Sequence, residues 1–147
     1  MAASSCDLRL GLRLEDEDVL LPWNATFRDL RALASPLRDG RALIWRRRTC
    51  LGGLKANVVA WLSKGRAVRF TLGPVRPRGV TEEESSRKMA AHFRRLWGKP
   101  TRSWPGWWPP AAEWERAGVL VRLCMDEPLI WQHATWVEIE SRRYSAP

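Results

Sequence analysis

Two histidines and three cysteines are the side chains of this 147-residue sequence best suited to nucleophilic, acid–base or metal chemistry, and their spacing argues against each. A zinc site wants Cys and His clustered, whereas His92 and His133 lie far apart and Cys6, Cys50 and Cys124 form no close pair. His92 falls beside Phe93 in a helical pattern, opposite no identifiable base, and reads as a surface or half-buried helix residue. His133, between Gln132 and Ala134 in an extended pattern, reads as a satisfied strand histidine. Cys50 precedes Leu51-Gly52-Gly53, a tight turn that could activate a thiol, but no His motif accompanies it. Gly52-Gly53 lacks the flanks of a phosphate loop, and Gly11 stands alone. The expectation is no catalytic residue, no metal and no cofactor.

Binding chemistry is better represented. There are ten tryptophans, and that many indoles are hard to bury in so short a chain, so some should remain partly exposed and serve as interface anchors. Trp104, Trp107 and Trp108 fall within five residues, with Pro105 and Pro109 beside them, which makes a stiff apolar ridge. Those rings could equally fold back over the open end of the core. The formal charge of +9 comes mainly from Arg, whose fork suits an acidic protein or nucleic acid, although GC-rich coding also yields such a composition. Arg46, Arg47 and Arg48 give one strand a very basic end. The candidate partner surface is therefore Trp104, Trp107 and Trp108 together with Arg46, Arg47 and Arg48.

The elements that must position these residues follow from periodicity. Leu8, Leu10, Leu12 and Leu14 alternate as a strand, and Glu15–Asp18 breaks it. Thr26-Phe27-Arg28-Asp29 is a capping box opening a short helix that Ser35-Pro36 stops. Strands follow over 42–48, 54–62 and 67–72, the last two joined by Ser63-Lys64-Gly65-Arg66. After a Pro/Gly linker over 73–80, Thr81 caps the main helix, whose apolar stripe is Met89, Ala90, Phe93, Leu96 and Trp97. Residues 101–114 read as a Trp/Pro loop, and strands over 118–124 and 130–140 close the chain. The expected fold is one α+β domain, with two helices on one face of an antiparallel sheet of about six strands. Its core is expected to hold Leu8, Leu10, Leu12, Phe27, Leu30, Val58, Val68, Phe70, Met89, Phe93, Leu96, Val119, Val121 and Val137. Phe27-Arg28-Asp29-Leu30 echoes Phe93-Arg94-Arg95-Leu96, which raises an internal repeat over about 7–75 and 80–140, though short Arg-rich matches also arise by chance.

No apolar run is long enough to span a bilayer or to act as a signal peptide, and three scattered cysteines favour reduced thiols and a cytoplasmic setting. Asn24-Ala25-Thr26 matches a glycosylation acceptor but reads structurally in that setting. Nucleic-acid binding is one functional expectation, with Arg46–Arg48, Lys64, Arg66 and Arg69 near Trp45 and Trp61, although no recognition motif accompanies them. The other rests on a resemblance. The helix ending Phe93-Arg94-Arg95-Leu96-Trp97-Gly98-Lys99-Pro100, the Trp104–Trp108 loop and the final hairpin give the chain an outline that resembles the small cytosolic immunity proteins bacteria keep against secreted toxins. The resemblance implies a stoichiometric inhibitor that blocks a cognate toxin. A basic chain departs from the many acidic members, and would suit an acidic partner.

Overall fold

Strict alternation over Leu54–Ser63 builds a strand whose Ala56, Val58 and Ala60 are fully buried while Lys55, Asn57 and Trp61 point outward. The computed structural model describes residues 7–40, 42–104, 111–125 and 135–145, and these form a mixed α+β fold. A hairpin of β1 (Gly11–Leu14) and β2 (Val19–Pro22) precedes the short helix α1 (Phe27–Arg31). Strands β3 (Leu37–Asp39), β4 (Ala42–Cys50), β5 (Leu54–Ser63) and β6 (Arg66–Pro74) follow as a meander. The long helix α2 (Glu82–Trp97) leads into a second meander of β7 (Arg102–Trp104), β8 (Ala111–Arg116), β9 (Val119–Met125) and β10 (Thr135–Ser141). One further turn, α3 (Arg142–Ser145), ends the described chain. The eight meander strands join in one antiparallel sheet, ordered β3-β4-β5-β6-β10-β9-β8-β7.

Each meander follows a helix, and the two meet through their last strands, β6 and β10, so the strand order reads the same from either edge. Two rows of inward side chains cross the six central strands. One runs Trp45, Val58, Leu72, Val137, Leu123, Ala112, and the other Leu43, Ala60, Phe70, Ile139, Val121, Trp114. Reversing the sheet exchanges the rows and puts Trp45 where Trp114 was. The exchange extends to hydrogen bonds. Trp45 Nε1 donates to the Leu33 carbonyl just beyond α1 (2.8 Å), and Trp114 Nε1 donates to the Gly98 carbonyl just beyond α2 (3.0 Å). A buried indole N–H needs an acceptor, and here it fastens the end of each covering helix to the sheet.

Both helices and the β1–β2 hairpin therefore bury the same sheet face. Thr26 caps α1 in a full capping box with Asp29, and Thr81 caps α2 by accepting from the Glu84 N–H at 3.1 Å. Met89, Phe93 and Trp97 enter the core from α2, with Phe93 edge-on to Trp114 at 5.5 Å between centroids.

The sheet is larger than the six strands the alternation suggests, because β3, β7 and β8 are absent from that reading, while β1, counted among the six, pairs with β2 in a separate hairpin. β3 and β7 have three residues each, too short to display a period. β8 hides in the supposed Trp/Pro loop, and its Trp114 is a core residue exposed by only 1%. Glu15–Asp18 is the turn joining β1 to β2, not an interruption. Two expected core positions also shift. Leu10 is 69% exposed because Gly11, at φ 150°, resets the alternation where a Cβ would stand 2.0 Å from the Leu21 carbonyl oxygen. Ala67 is fully buried and Val68 only half-buried, because β6 opens at a register shift opposite Trp61/Leu62 while Ala67 exchanges backbone bonds with Asn24 and Ala25. Phe27 and Leu96 pack against the core without being fully enclosed.

Candidate interaction surface

The composition of the opposite sheet face changes halfway across. One outward row runs Leu37, Ile44, Val59, Thr71, Glu138, Arg122, Glu113, Arg102 from one edge to the other. Its first half is apolar, and its second half is a ladder of alternating charge. Arg122 reaches Glu113 at 2.9 Å and Glu138 at 3.4 Å, and Arg102 approaches Glu113 at 4.0 Å. Burial works against the Arg122 charge, but the Glu113 hydrogen bond and the fields of Glu113 and Glu138 outweigh it and raise its pKa above the ordinary guanidinium value. Directly opposite charges in neighbouring strands hold this half rigid.

Trp61 belongs to the apolar half and is 43% exposed. Its orientation is fixed at two points: Nε1 donates to Thr71 Oγ1 at 2.7 Å, and the Arg69 guanidinium lies 5.5 Å from the ring centroid. Leu37, at the β3 edge, is 52% exposed. A large ring held open to solvent, beside Ile44 and Val59, can contribute apolar contact with little ordering cost.

Of the residues expected to form the partner surface, those described lie on different strands. Arg46 and Arg47 are exposed at a bulge of β4, where Arg47 takes φ 51° and its N–H donates to Asn57 Oδ1 at 2.9 Å. Arg48 is engaged inside the molecule, pairing with Glu17 and donating to the carbonyls of Ala34 and Arg46. Trp104 ends β7 and pairs by backbone with Ala111 at the far edge, while Trp107 and Trp108 lie outside the described residues. Five strands separate β4 from β7, roughly 29 Å along the sheet at the usual strand spacing. Trp45, grouped with the basic residues as a base-stacking candidate, is fully buried and offers no ring to solvent. Alternation along β5 puts Trp61 on the face away from Val58, but it does not show the ionic ladder, whose signal is the outward Glu138 facing Arg122 across β10 and β9.

The groups weighed for chemistry have structural duties. His92 Nε2 lies 2.6 Å from the Leu51 carbonyl oxygen, which can only accept, so that nitrogen carries the proton. The same turn receives the Glu15 carboxylate on the N–H groups of Gly52 and Gly53, at 3.0 and 2.8 Å. Cys50 is fully buried and Cys124 half-buried, while Cys6 and His133 lie outside the described residues. Among the described residues no group of three or more His, Cys, Asp or Glu could hold a metal ion, and no helix is long and apolar enough to cross a membrane. Compared with known proteins, the chain matches no family model, no curated protein and no solved structure.

Proposed function

We propose that this chain is a non-catalytic protein-binding module, and that it acts in the cytoplasm as an immunity-type inhibitor that binds and neutralises a cognate bacterial toxin. The observation that carries the reading is the outward sheet face with Trp61 held open upon it. An apolar patch around a fixed indole, bordered by satisfied ion pairs, has the centre-and-rim composition of a protein interface. The border also favours protein over nucleic acid. Arg122 and Arg142 on this face are paired with glutamates, so they are not available to neutralise phosphates.

The test is co-expression with a toxin domain encoded beside the gene. The inhibitor reading expects growth to be restored and a one-to-one complex to survive nuclease and moderate salt. A complex that dissolves on nuclease digestion, or collapses steeply with salt, would replace it with nucleic-acid binding through a basic, Trp-bearing surface.

A further inference from the structure

On the other side of the molecule, α2, the β4–β5 turn and the segment after β6 enclose a cleft of about 260 Å³. Its floor is apolar, made by Val75, Val80 and Met89 among others, and its rim carries the α2 cations Lys88 and Arg95. The helical spacing explains the convergence. Ser85, Lys88, Met89, His92 and Arg95 recur every three or four residues and so share one side of α2. Opposite them, the His92 bond to Leu51 fixes the helix against the turn that leads into Lys55. Both cations are exposed, and neither takes part in an ion pair among the described residues. Of the nearby acids, Glu82 pairs with Arg76, Glu83 with Arg87 and Glu15 with the glycine N–H groups, while Glu84, one turn before Lys88, forms no ion pair among the described residues.

Two positive charges beside an apolar floor favour an anion that also carries apolar surface. Size decides what kind. Pockets that enclose a whole small molecule hold about 300–1,000 Å³, and this cleft is smaller and open on one side. It accommodates one or two side chains of a longer ligand. No Phe, Tyr or Trp lines it, and its one ring, His92, is held against the Leu51 carbonyl. We infer that the cleft is a second docking site, for an acidic segment of a protein partner. An apolar side chain of the segment rests on Val75, Val80 and Met89, and its flanking carboxylates meet Lys88 and Arg95. The inference deepens the inhibitor reading and rests on it, for it assigns part of the partner's recognition to α2.

The probe is a synthetic acetylated peptide of alternating Glu and Leu, titrated against the full chain while the Met89 methyl and His92 ring resonances are followed. A Lys–Leu peptide, inorganic phosphate and a short single-stranded oligonucleotide serve as comparison ligands. Saturable shifts with the acidic peptide alone are expected, weakened at least about tenfold in Lys88→Glu/Arg95→Glu and retained in Trp61→Ala. Lys88 and Arg95 are exposed, and an unchanged melting temperature verifies that the double variant folds. Absence of Met89 and His92 shifts at millimolar acidic peptide overturns the inference, as does equal binding of phosphate or the oligonucleotide. Loss of toxin neutralisation in Trp61→Ala with full neutralisation by Lys88→Glu/Arg95→Glu removes the cleft and leaves the inhibitor reading standing. Failure of the wild-type chain to neutralise, with peptide binding intact, does the reverse.

Discussion

Asp7 and Arg9, two residues apart, form a closed pair in which the guanidinium donates to both carboxylate oxygens at 2.7–3.2 Å. The side-chain and backbone hydrogen bonds from Arg9 pull the Asp7 carboxyl down from 3.8 to about 2. A lowered carboxyl stabilises the fold above the ordinary carboxylate range, and that contribution disappears as the pH falls toward about 2. Following the Asp7 carboxyl carbon by NMR should give a midpoint near 2, moving up to roughly 4 in Arg9→Ala. An unchanged midpoint in that variant would show that the pair does not form in solution. At this scale the sequence was informative about residue type and poor about assignment. The excess of indoles announced both core and surface rings; alternation along 54–63 turns Trp61 outward, but nothing in the local spelling marks Trp114 as buried. Trp114 follows the Pro-rich stretch 105–110 closely enough to read as part of a loop, and only its pairing with Val121 brings it inward.

At the scale of elements, the caps and the helix stripe were legible because they are local. Thr26 and Thr81 accept from the N–H groups three residues on, as their spacing implied. Thr81→Ala should cost about 1 kcal/mol of stability, and Phe93→Ala about 3–5 kcal/mol through the cavity left beside Trp97 and Trp114. Urea denaturation measures both, and an unchanged midpoint for Phe93→Ala would contradict the inward face assigned to α2. The elements that escaped notice are those specified by distant partners. β3 and β7 are short edge strands, a length that limits sheet-to-sheet aggregation but leaves no period to read. The tip of the β1–β2 hairpin looks like an acidic solvated run until Glu15 meets Gly52 and Gly53, 37 and 38 residues away.

The described residues are organised about the β6–β10 pairing, across which Trp45 and Trp114 take equivalent places, each beyond a helix. Trp45→Phe and Trp114→Phe each leave a helix-end carbonyl without its indole donor. Each should cost about 1–3 kcal/mol, and by similar amounts, in matched denaturant melts. A large cost at one site and none at the other would mean that the two helices are held by different means. The net charge of +9 is unevenly used: Arg122 and Arg142 on the outer sheet face pair with glutamates, whereas Lys88 and Arg95 beside the α2 cleft form no ion pair among the described residues. The expected site joined Arg46–Arg48 to the Trp104–Trp108 loop because both are conspicuous in sequence, but strand order was not legible there, and it puts five strands between Arg46–Arg48 on β4 and Trp104 on β7.

The central claim is that the outer sheet face, anchored by Trp61, is the surface on which a protein partner is held. Its most direct test is Trp61→Ala, with affinity for the cognate toxin domain measured by calorimetry and stability measured by thermal melting of the same preparation. Trp61 is 43% exposed, and among the described residues its side chain meets Thr71 through one hydrogen bond and Arg69 through its ring, so the melting temperature should stay within about 3 °C of the parent. Affinity should fall by at least about thirtyfold, the loss of one anchor residue worth roughly 2 kcal/mol. An affinity unchanged by Trp61→Ala, in a variant that melts like the parent, would contradict the account.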